Sequence, residues 1–266
     1  MSMYIWKEWK EQTRSKGLWL AAGMVFLINA ILMLEARSLP VEQGFTALLL
    51  SLHEMNVYLI PILGLFISSF AVIQEKELKT YMMLTTKRES KRSFLLKKSL
   101  AVHAVTLSVF IAGTLIMALP MKLFFLFDMK HFLAFLITIA AFLIIFNQIG
   151  IFLGSICTTR MQLVGANIFT WFFFLFLTDI GFMYALPAVS YDNIQIFSVF
   201  YFIDPLHALS FYLDTALGVL SIDHLSRLMD KMVFVHPAVF LAVNAVIWSA
   251  LSFELAVRLN KGGERA

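Results

Sequence analysis

Two stretches of this sequence carry side chains suited to acting on something outside themselves. The segment 75–98, EKELKTYMMLTTKRESKRSFLLKK, opens with acids, continues through the apolar cluster Tyr81, Met82, Met83 and Leu84, and ends in bases. Acids at a helix start and bases at its end complement the helix dipole, and an apolar patch on so short a segment has no core of its own to enter. Its chemistry is that of a docking surface. The second stretch, residues 3–16, reads as a helix with Tyr4, Ile5, Trp6 and Trp9 set among Lys7, Lys10, Arg14 and Lys16. Aromatic rings favour the headgroup level and basic tips favour anionic lipid, so this helix should lie along a membrane surface before the chain turns inward at Gly17.

Catalytic chemistry is harder to find. The sequence has no H-E-x-x-H, no G-x-S-x-G, no E-E-x-x-x-R and no G-x-x-x-x-G-K-[ST] phosphate loop, which argues against a membrane-embedded enzyme and against ATP hydrolysis by the chain itself. Two acids fall within apolar stretches. Glu254 stands one turn before Arg258, as a simple i,i+4 pair. Asp179 has no cation near it in sequence and is the candidate for lining a pathway. The 14 Met and 6 His raise the question of a soft metal. No two His have ligand spacing, and Met is a common filler of apolar helices, so no metal site is assigned. Cys157, the one cysteine, excludes an internal disulfide framework. Asn147, Gln148, Asn167 and Asn244 are expected to hydrogen-bond between helices.

The elements that must position these residues are membrane helices. Hydrophobic residues make up 60% of the 266 and charged residues 14%, against roughly 45–50% and about 25% in soluble domains. Apolar runs of about 20 residues, the length that crosses ~30 Å of hydrocarbon, give spans at 17–34, 56–73, 100–119, 132–156, 164–186 and 237–257. Six spans place both termini on one side. That side holds Lys7, Lys10, Arg14, Lys16, the basic residues from Lys76 to Lys98, Arg160, Arg258, Lys261 and Arg265; the other has only Arg37, Lys122, Lys130, Arg227 and Lys231. The positive-inside rule then puts both termini in the cytoplasm. The amino-terminal residues lack the basic stretch and cleavage site of a removable signal and are expected to stay on.

Residues 190–236 include the apolar run 196–220, which carries Asp204, Pro205, His207 and Asp214. A seventh span there would move the carboxy-terminal basic residues outside, so the segment reads as re-entrant or interfacial helices on the outer face. The fold class is an all-α polytopic membrane protein forming one transmembrane domain over 1–266. No nucleic-acid partner is implied, because the basic residues follow membrane topology.

Taken together, these features resemble the permease subunit of an ABC transporter of the type-2 exporter class. That family has six spans, an amphipathic elbow helix before the first, a coupling helix between the second and third, and outer-face helices between the fifth and sixth. Its coupling region tends to read Glu-x-Glu-x-Gly-Thr, an apolar stretch, then Pro-x-Ser-Arg and a later Lys. Glu75, Glu77, Thr80, Leu84, Ser90, Lys91 and Lys98 fit this pattern; Lys79, Met82 and Arg88 depart from it. Phe200–Gly218 is also similar to the Asn-Pro region of NosY-type permeases of nitrous-oxide-reductase maturation, with Asp204 and Pro205 in the positions of that pair.

The resemblance implies a homodimer in the bacterial inner membrane working with two cytoplasmic ATPase subunits. It implies an ATPase-coupling set of Glu75, Glu77, Thr80, Met83 and Leu84, and elbow residues Trp6, Trp9 and Arg14. The chain itself would bind no cofactor, with ATP and magnesium held by the partner ATPase. A periplasmic or extracellular accessory protein is a further candidate partner. The rival transport reading, an ATP-independent secondary transporter, would favour inverted repeats and paired broken helices, whereas Pro61 is the only proline well inside a span.

Overall fold

The computed structural model describes residues 2–38, 41–77, 90–220 and 227–259, and among them it contains helices and no strands. Helix α1 (Ser2–Arg14) leads through Ser15 into α2 (Lys16–Ala36), followed by α3 (Val41–Glu77), α4 (Lys91–Phe124) and α5 (Met129–Ile156). Then come α6 (Arg160–Phe172), a π-helical turn (Phe173–Leu177) and α7 (Thr178–Ala185), which together form the fifth long element. Helices α8 (Ile194–Ile203), α9 (Pro205–Ala216), α10 (Arg227–Met232) and α11 (Pro237–Leu259) complete the chain. Six of the helical stretches are long and apolar enough to cross a membrane. The protein is therefore a polytopic all-α membrane protein.

Local sequence explains where the helices begin. Ser90 accepts from the Ser93 amide at the start of α4, Asp128 from Lys130 at α5, and Thr159 from Gln162 at α6. Each side chain satisfies an amide that the helix leaves without a partner. The helices run past the apolar stretches: α3 begins at Val41 and α4 at Lys91, so residues 91–98 of the expected coupling segment are continuous with a span.

The α8–α9 pair is bent by 99°. Asp204 sits at the corner, accepts from the Leu206 amide at 2.8 Å, and is followed by Pro205 in the first turn of α9. Proline suits that position because its missing N–H has no partner to lose. With 10 and 12 residues, neither helix alone approaches the length of a span.

Helix α5 is the axis of the bundle, with 72% of its apolar window buried, against 22% and 17% for the fifth and sixth spans. Its close partner is α3. A Cβ at Gly150 would lie 2.7 Å from the Leu65 carbonyl oxygen, and one at Gly154 would lie 2.6 Å from that of Ser69. Only hydrogen fits at these two positions, one helical turn apart, so the backbones pack directly against each other. Polar side chains then pin the neighbours: Asn147 Nδ2 donates to Thr106 Oγ1 at 2.7 Å, Asn167 Nδ2 to Ser69 Oγ at 2.8 Å, and Ser99 Oγ to Gln148 Oε1. Asn244 Nδ2 donates to the Phe202 carbonyl at 2.6 Å, joining α11 to α8. All four amide residues thus bond between helices.

Replacing Gly150 by Val should destabilise the protein by about 1–3 kcal/mol or more through overpacking. Gly165→Ala on α6, where nothing lies within 4 Å, should be neutral or stabilise by up to about 1 kcal/mol. Equilibrium unfolding of the two variants in mild detergent checks the contrast.

Candidate functional site

The last three residues of α3 point three ways, because successive helical positions turn by about 100°. Glu75 faces inward and is 4% exposed. Its Oε1 lies 3.3 Å from Lys98 Nζ of α4, itself 1% exposed, and 3.6 Å from Lys7 Nζ of α1. Lys76 reaches across to the end of α5, donating to the carbonyls of Ser155 and of Cys157, the latter at 3.1 Å. A cation on the last carbonyls of a helix offsets the negative end of its dipole. Glu77 turns outward and receives two hydrogen bonds from Arg160, at the start of α6: Nε donates to Oε1 at 2.8 Å and Nη2 to Oε2.

One turn of α3 is thereby tied to α1, α4, α5 and α6 at the end of the bundle where α1 lies. A further link extends the set to α11: Arg92 of α4 is 3.7 Å from Glu254 of α11, which also accepts from Arg258 at 2.9 Å. Cys157 sits buried under the Lys76 contact. Burial pushes its thiol above the usual range, against the opposing pull of Lys76.

These contacts locate most of the residues singled out by sequence. Glu75 and Glu77 fall in the cluster; Thr80, Met83 and Leu84 lie outside the described residues. On α1, Trp6 is exposed and Trp9 packs against the main core, where its carbonyl accepts from Thr13 Oγ1 at 2.6 Å. Trp19 Nε1 donates to the Thr13 carbonyl at 2.7 Å and fixes the corner between α1 and α2. Arg14 lines a cavity of about 790 Å³ between α1–α2 and α3, with Lys7, Glu11, Glu75 and Lys98 also in its wall and Leu63, Phe66 and Phe70 giving it an apolar side. Asp179 belongs to no part of this cluster; at the far end of the bundle its Oδ1 meets His207 Nε2 at 2.9 Å.

Sequence reasoning missed the roles of Lys76, Arg160 and His207. In the sequence Lys76 and Arg160 register only as positive-inside charges, because each partner lies about 80 residues away along the chain.

The model of the ABC-2 family transporter proteins matches residues 3–261 of this chain. The chain belongs to that family. It is a membrane permease of an ABC transporter, and membership implies a partner ATPase subunit. A search of curated proteins gives no significant match. In this permease the charged cluster occupies the end of the second and the start of the third membrane-capable helix, on either side of residues 78–89.

The buried Glu75–Lys98 pair gives a stability test. Taking away one member of a buried pair costs about 3–5 kcal/mol when the other is left with no partner, whereas replacing both by apolar residues is close to neutral; here Lys7, 3.6 Å from Glu75, offsets part of that cost. Lys98→Met should therefore lower the unfolding midpoint of the detergent-solubilised permease, and the Glu75→Leu, Lys98→Met double variant should recover most of the loss.

Proposed function

We propose that this permease acts as a homodimer in the bacterial cytoplasmic membrane, with both termini in the cytoplasm, and couples ATP hydrolysis by a separate nucleotide-binding subunit to export of a substrate. In this reading ATP and magnesium sit in the partner, α1 is the elbow helix at the inner surface, and residues 78–89 with their flanks dock on the ATPase. The observation that carries the reading is the one-turn cluster at Glu75, Lys76 and Glu77. A displacement applied to the segment that follows Glu77 reaches α1, α4, α5 and α6 through ionic contacts and carbonyl caps rather than dissipating in a loose loop. Coupling requires an element held firmly enough to have two discrete arrangements, and such a cluster supplies the hold.

The coupling set is Glu75, Glu77, Thr80, Met83 and Leu84, with Trp6, Trp9 and Arg14 contributing through α1. Large apolar side chains left exposed along the fifth membrane-capable helix, among them Phe169, Phe173 and Met183, leave a face for lipid and for the second copy. The likeness of Phe200–Gly218 to NosY-type permeases makes a copper-enzyme maturation system one candidate setting, with a periplasmic accessory protein as its partner.

Co-purification of the tagged permease from its native membrane should bring down a nucleotide-binding subunit at equal ratio. Glu77 is exposed and paired at the surface, where ion pairs add little to stability. Glu77→Ala and Leu84→Ala should therefore leave the complex folded and its basal ATPase intact while reducing transport at least tenfold. Full transport by both variants would overturn the coupling assignment, and a permease that purifies without any ATPase would overturn the reading as a whole.

A further inference from the structure

Near the α8–α9 corner, at the end of the bundle away from α1, lies a second cavity of about 320 Å³, at the small end of the range for ligand pockets, roughly 300–1,000 Å³. Its wall carries the rings of Tyr58, Phe174, Tyr201, Phe202 and Phe211. Set into that wall are two carboxylates, Asp179 and Asp214. A third acid, Asp204, lies buried behind the lining residue His207, with its Oδ2 3.3 Å from Nδ1.

Charge is poorly balanced there. His207 stands between Asp179, at 2.9 Å from Nε2, and Asp204, at 3.3 Å from Nδ1. Asp204 is 3% exposed; Oδ1 caps α9, and Oδ2, the oxygen nearest His207 Nδ1, makes no hydrogen bond. No Lys or Arg is among the described residues that line it. Lys231, next in sequence to the lining residue Met232, turns away instead, donating to the Tyr191 carbonyl at 2.7 Å with its ammonium 3.9 Å from that ring's centroid. Among the described lining residues one imidazole, His207, faces the two acids of the wall and the buried Asp204 behind it. Carboxylates crowded against low-dielectric walls concentrate a negative potential that attracts cations.

The kind of cation follows from how the groups are spread. Among the described residues no group of three or more His, Cys, Asp or Glu is placed to hold a metal ion. The two lining acids come from different helices, Asp179 from α7 and Asp214 from α9, and aromatic rings share the wall with them; aromatic faces attract diffuse cations through the ring quadrupole.

We propose that this cavity binds a small organic cation, a quaternary ammonium or protonated amine, with its charged head facing Asp179 and Asp214 against the ring of Tyr201 and its apolar part toward Phe202 and Phe211. The site stands on the cavity alone and does not depend on coupling to an ATPase.

Calorimetric titration of the full-length permease in nanodiscs with choline, and with its neutral carbon isostere dimethylbutanol, tests it. Saturable choline binding is expected, with the isostere at least tenfold weaker. Choline binding should also weaken at least tenfold in the Asp179→Asn, Asp214→Asn double variant and several-fold in Tyr201→Leu. Equal binding of the two probes to the unaltered permease would show an apolar cavity indifferent to charge and overturn the proposal whether or not the variants fold. Unchanged choline affinity in a well-folded double variant would overturn it too, and so would displacement of choline by calcium at matched concentration, which would mark a metal site.

Discussion

Two glycines set the relation between the helices that matter most. Because Gly150 and Gly154 bring the backbone of α5 against that of α3, the rotation and height of α3 are fixed relative to the axis of the bundle. That fixed register decides where the last turn of α3 points its side chains. A charge buried inside the bundle is costly unless it is paired, so Glu75 meets Lys98, and Lys76 meets the end carbonyls of α5, from the position the glycine contact imposes. The polar bonds of Asn147 and Asn167 act in the same register, binding α4 and α6 to the pair already packed.

Much of the fold was legible in the sequence because a membrane helix advertises itself by length and composition. The six membrane-capable helices and the split character of residues 194–216 follow from apolar runs and from the acids and proline that interrupt them. The inter-helix role of the amides was legible for the same reason, since an amide in an apolar run must bond to a neighbour. The pairing of Glu254 with Arg258 could be read as well, since its two members are one turn apart.

Pairings across the bundle could not be read. Glu77 and Arg160 are 83 positions apart, and Lys76 and Ser155 are 79 apart; nothing in either local sequence names the other. Asp179 illustrates the gap most directly. With no cation near it in sequence it stood as an isolated acid, and the structure gives it an imidazole from a helix beyond the next turn of the chain. Such contacts depend on helix rotation, a property to which composition is blind.

Rotation also gives meaning to the π-helical turn at Phe173–Leu177, where the Thr178 amide donates to the carbonyl of Phe173, five residues back. A turn of this kind holds one residue more than an α-helical turn, and that extra residue shifts everything after it by about 100° around the axis. The fifth span consequently has two phases. Its first half is set by Asn167 against α3, and its second half is wound on so that Asp179 looks toward α9. An uninterrupted α-helix of the same composition could keep one of these appointments but not both, so the two ends of the span are free to answer to different neighbours while remaining a single rod through the membrane.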